Sequence, residues 1–140
     1  MKKKDIEIIK KGKEILAIIV PHDYYSEETQ FFTPTNFPQQ LGFISRKRGE
    51  IIQTHKHNVV KRNIYLTQEV LAIKKGKVKI NFYDSKGKYF DSRIFWPGDI
   101  ILLASGGHGL EFLKNTQIVE IKQGPYLGKD DKIMLKGIEK

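Results

Sequence analysis

Cysteine is absent from this sequence. That excludes disulfides, thiolate metal sites, iron–sulfur clusters and a thiol nucleophile, and it fits a reducing compartment. Histidine is scarce: His22, His55, His57 and His108 are the only four, so a metal ion would have to be held by these and by carboxylates. Long apolar runs are missing too. The longest is residues 15–20, whereas a membrane-spanning helix needs about 20 apolar residues. Residues 1–4, Met-Lys-Lys-Lys, imitate the basic start of a signal peptide. Lys10, Lys11, Lys13 and Glu14 then interrupt any apolar stretch, and no small-residue cleavage site follows. The expectation is a soluble, unprocessed, cytoplasmic protein with no membrane partner.

What is present suits one globular domain spanning residues 1–140. Hydrophobic residues make up 39% and aromatics 11%, too much for a disordered chain. A chain of this size buries roughly 68% of the surface it exposes unfolded, enough for a core without staples. The net charge is +9, and it is unevenly placed. Residues 46–93 hold 13 Lys and Arg against four acids, Glu50, Glu69, Asp84 and Asp91, which accounts for all of it. Solvated strand faces and turns explain Lys74, Lys75, Lys77, Lys79, Lys86 and Lys88. A basic rim that attracts a small anionic molecule is the sharper reading. Nucleic acid is not expected as a partner: no helix-turn-helix, zinc finger or interleaving of basic and stacking aromatic residues is present.

The patterning is strand-like almost throughout, and no segment carries a convincing helical period. Residues 5–9 and Glu14–Val20 read as strands around a turn at 10–13, and Pro21 stops the second. Residues 21–40, with Pro21, Pro34 and Pro38, read as an irregular arm. Strands are expected at 41–46, 50–56, 68–73, 77–83, 89–96, 99–103, 108–113 and 117–123, whereas 58–66 has no clear period. In 77–83, Val78, Ile80 and Phe82 alternate with Lys77, Lys79 and Asn81. Short strands with turn signals every 8–12 residues or so predict an all-β sandwich or barrel. It would comprise an N-terminal strand and arm (1–40), a barrel core (41–126) and a charged, loosely packed tail (127–140).

His55 and His57 stand two apart in an expected strand, so both imidazoles share a face and can converge on one ion. Glu69 shares a face with Leu71 and Ile73, and a carboxylate on an apolar face is costly unless it is paired or bound to a cation. His108 opens a strand whose inner face continues through Leu110 and Phe112. Chelation of one divalent transition metal (Fe, Mn, Ni, Co, Cu or Zn) by His55, His57, Glu69 and His108 satisfies all four groups. A salt bridge from Glu69 to Arg62 or Lys61 is the simpler alternative. Lys61, Arg62 and Tyr65 fall between His57 and Glu69 and are the expected lip over the site. His22 reads as a turn histidine, Glu111 as structural and facing away from His108, and Phe90, Phe95 and Trp96 as core or interface.

The series Gly49-x5-His55-x-His57, Glu69-x6-Gly76 and Gly98-x5-Ala104-x-Gly106-x-His108 resembles the two signature motifs of the cupin superfamily. The combination Thr67-Gln-Glu-Val70, Gly106-Gly-His-Gly109 and Glu120-Ile-Lys-Gln-Gly-Pro-Tyr126 is similar to a group of small bacterial cupins. The resemblance implies a jelly-roll barrel with three His and one Glu on a metal. By fold analogy, it also implies an enzyme acting on a phosphorylated or nucleotide-linked sugar, of the isomerase or epimerase type. An Fe(II)-dependent oxygenase and a non-catalytic metal- or small-molecule-binding module are the alternatives. A homodimer is expected, with Glu14–Val20 and the Phe31-Phe32 pair packing on or exchanging with a second subunit.

Overall fold

A computed structural model describes residues 5–139; the basic start at 1–4 lies outside the described residues. The chain is all-β, with antiparallel pairing throughout. In chain order the strands are β1 (Glu7–Lys11), β2 (Glu14–Val20), β3 (Gln30–Phe31), β4 (Gly42–Phe43), β5 (Glu69–Lys75), β6 (Val78–Tyr83), β7 (Tyr89–Phe95), β8 (Ile100–Leu103), β9 (Gly107–Phe112) and β10 (Gln117–Lys122). A 3-10 turn at Gly128–Asp131 follows. One sheet has the order β1-β2-β8-β5-β10, a second β7-β6-β9, and β3 and β4 form a two-stranded ribbon in the arm.

Alternation decides which faces are buried. Val78, Ile80 and Phe82 on β6 are buried, as are Leu71 and Ile73 on β5, Ile101 and Leu103 on β8, and Leu16 and Ala17 on β2. They form one cluster to which the five- and three-stranded sheets both contribute, and Leu110 and Ile118 pack against it. Each fully buried side chain of this kind stabilises by about 1.5–3 kcal/mol relative to leaving it in water. The turns hold the sheets in place. Gly76, between β5 and β6, has φ 95°, and a Cβ there would run into the Asn115 carbonyl. Gly106, before β9, has φ 70°, and a Cβ there would strike the Tyr83 carbonyl. Only glycine combines that conformation with that approach.

Two sequence expectations are corrected. Residues 50–56 form no strand and have no strand paired with them among the described residues, and 41–46 contribute only Gly42–Phe43, which pair with the two residues of β3. Glu14–Val20 is not a surface awaiting a second subunit. Paired on both sides by β1 and β8, it is buried within its own chain from Leu16 to Val20. Most of the tail is exposed, Ile133 and Met134 included, but it is tied down at one place. Its end crosses the outer face of the β7-β6-β9 sheet, where Glu139 accepts hydrogen bonds from the Asn81 amide (3.0 Å) and the Tyr83 hydroxyl. The Ile138 amide donates to that same hydroxyl at 2.9 Å.

Candidate metal centre

Glu69 opens β5 opposite Leu103 of β8 and Lys122 of β10. It shares its face with the buried Leu71 and Ile73, as the alternation predicts. His108 on β9 lies opposite the buried Phe82. From these two sheets the side chains meet, His108 Nε2 standing 3.6 Å from Glu69 Oε2. That is ion-pair distance and too long for a good hydrogen bond. His108, and neither Arg62 nor Lys61, is therefore the ion-pair partner of Glu69 among the described residues.

Two side chains of β10, Glu120 and Lys122, stand beside this pair. Glu120 lies opposite Leu71, diagonally across from Glu69 on the same face, and the two carboxyls influence each other. The neighbouring His108 imidazole holds the Glu69 carboxyl below its ordinary range. Glu69 in turn pushes Glu120 up, since two carboxyls this close share a proton more easily than they share two charges. Lys122, opposite Glu69, is held by Asp131 at 3.1 Å, and that bond raises its pKa. Polarity hides this arrangement. On β10, Val119 and Ile121 are exposed on one face, while Glu120, also exposed, and the half-buried Lys122 share the face of Leu71 and Glu69. Only the pairing register reveals it.

His55 and His57 lie elsewhere, on the exposed, irregular segment between β4 and β5. Their rings are neighbours, with centroids 5.4 Å apart, and His55 Nδ1 bonds the Gln53 carbonyl at 2.8 Å. The two-residue spacing brings the imidazoles side by side but not to Glu69 and His108. Among the described residues, no group of three or more His, Asp or Glu side chains is placed to hold a metal ion. The residues present fit half of a coordination set.

Arg62 and Tyr65 line a groove of about 740 Å³ between residues 62–66 and the arm at 35–40, and Lys61 does not line it. The arm is anchored by Gln68, the residue before β5. Fully buried, Gln68 accepts from the Gln39 amide at 3.1 Å and donates to the Ala104 carbonyl at 3.3 Å. His22, Glu111 and Phe95 stand as read, whereas Phe90 and Trp96 are exposed. His22 sits in a turn bonded to Asp99 at 3.0 Å. Glu111 faces away from His108 and accepts from Asn81 at 2.9 Å. Phe95 is core and Trp96 is half exposed beneath the Lys77 ammonium. Comparison with family models, with curated proteins and with solved structures finds no match.

Proposed function

We propose that this chain is a divalent-metal-binding protein of the cupin kind, a jelly-roll barrel whose Glu69–His108 pair is the fixed half of a cation site. The observation that carries this reading is the 3.6 Å approach of His108 Nε2 to Glu69 Oε2 from two different sheets. A carboxylate kept on the same face as Leu71 and Ile73 is expensive. An imidazole and a carboxylate converging at one point are donors suited to Fe, Mn, Ni, Co, Cu or Zn as divalent ions. His55 and His57 are the remaining donors. A metal bound there supplies Lewis acidity for proton abstraction beside a carbonyl. Arg62 and Tyr65, in their groove, supply recognition of a small anionic substrate such as a phosphorylated or nucleotide-linked sugar, because the guanidinium fork matches phosphate and carboxylate. The reaction type is isomerisation or epimerisation, with Lys61 near the rim as a second positive charge.

Elemental analysis and melting with and without chelator test the metal. A cation at 1,000 times its dissociation constant adds about 4 kcal/mol of stability. That gain should vanish in Glu69→Ala and His108→Ala. Purified protein with no metal above trace and no chelator effect would overturn the reading. A thermal-shift screen of sugar phosphates, nucleotide sugars and neutral sugars tests the substrate class. Stabilisation by the anions, lost in Arg62→Ala, is expected; hits confined to neutral compounds would remove the anionic substrate.

A further inference from the structure

The segment from 51 to 67 is out of keeping with the rest of the chain. It is apolar and basic, yet it covers nothing. Ile51 is 86%, Val59 105% and Tyr65 96% exposed. It contains Lys56, Lys61, Arg62, His55 and His57 and no acidic residue. Residues 62–66 face their own chain across the groove at 35–40. Residues 51–60 have no such seat.

A seat of the right chemistry exists at β9. This strand ends the β7-β6-β9 sheet, and among the described residues no strand pairs with its other edge. It carries His108 toward Glu69, and a second acid, Glu120, stands diagonally across from Glu69 on the same sheet face. An unpaired edge beside two carboxylates is a template for an added strand bearing positive charge. The segment supplies that charge, extended backbone length and unspent apolar side chains. The site also lacks two donors, and this segment holds two histidines whose rings are already adjacent.

We propose that residues 51–57 of one chain add as a strand to the free edge of β9 in a second copy, so that His55 and His57 of the first chain complete the cation site of the second. The metal part rests on the function proposed above; the strand exchange does not. Exchange also gives the expected homodimer a different basis from the buried β2. Each chain contributes one half of each of two sites.

Light scattering should give twice 16.2 kDa at tens of micromolar. Thr54→Pro removes a backbone donor from the middle of the added strand. Because Thr54 is exposed, the variant should keep its β circular dichroism and become a monomer, with β9 amides exchanging about tenfold faster or more. A wild-type mass of one chain, or a Thr54→Pro dimer with unchanged β9 protection, would overturn the exchange whether or not metal binds. Donation in trans is read by co-expressing His55→Ala/His57→Ala with Glu69→Ala/His108→Ala under two tags and measuring Co(II) content. Neither variant alone should hold Co(II), and the mixed dimer should hold half the wild-type amount. A Co(II)-free mixed dimer beside a Co(II)-loaded wild type would overturn donation in trans. A wild-type dimer that takes up no Co(II) and passes the Thr54→Pro test would overturn the metal reading and leave the exchange standing.

Discussion

Asp84 is almost fully buried and carries one of the larger electrostatic commitments in the fold. Its carboxylate pairs with the Lys11 ammonium and accepts from the Lys88 and Lys86 amides at 3.0 and 2.9 Å. These contacts, Lys11 first, lower its pKa from 3.8 to about 2. A carboxyl held below its unfolded value stabilises the fold above that value. The stabilisation is lost as pH falls through the folded one. Wild type should therefore lose stability between about pH 4 and pH 2. Asp84→Asn should melt lower than wild type at pH 7, with the gap closing as pH approaches 2, as calorimetry across that range would record. An unchanged gap at pH 2 would mean that packing, and not charge, holds this turn. The turn at 84–88 is legible in Asp-Ser-Lys-Gly-Lys. The Lys11 partner, 73 residues away, is not, because local spacing carries no information about distant ion pairs.

At the scale of elements, periodicity read the inward residues of β5 and β6 correctly, whereas Phe112 of β9, expected to face inward, is exposed. Val78, Ile80 and Phe82 go inward as the alternation requires, and the exposed His108 still meets Glu69 across the two sheets. It failed at 50–56, because a two-residue period says which side chains share a face and not whether a neighbour exists to pair with. It assigned no faces to β10, where Glu120 and Lys122 share the face of Leu71 and Glu69. Gln68 escaped for a related reason: a buried amide looks like any loop glutamine until its partners are known. Gln68→Ala would leave the Gln39 amide and the Ala104 carbonyl without their bonds. The cost should be about 1–3 kcal/mol, the usual penalty for buried groups deprived of a partner. Urea unfolding would measure it. A change below about 0.5 kcal/mol, the level of an ordinary surface substitution, would show that the arm at 35–40 does not depend on this anchor.

For the molecule as a whole, the last described residues close the outer face of the smaller sheet. Asn81 is fully buried. It donates to Glu111 and Glu139 at 2.9 and 3.0 Å and accepts from Ser92 at 2.6 Å. Leu135 covers Gly87 and Gly107. Removing residues 133–140 forfeits two or three of these bonds at about 1 kcal/mol each. The melting temperature should fall by roughly 5–15 °C, with Tyr83→Phe accounting for only part of the drop. Equal melting of the truncated and full chains would return the tail to the loose role its composition suggested. The five-stranded sheet imposes a different kind of demand. Its order β1-β2-β8-β5-β10 pairs Ala17 with Leu103, 86 positions later. At about 5–20 residues per second, a ribosome takes roughly 4–17 s to make that intervening chain. For that interval the most apolar strand of the protein has only the β1 hairpin for cover. Its survival in a crowded cell is then a race between translation speed and the arrival of a chaperone.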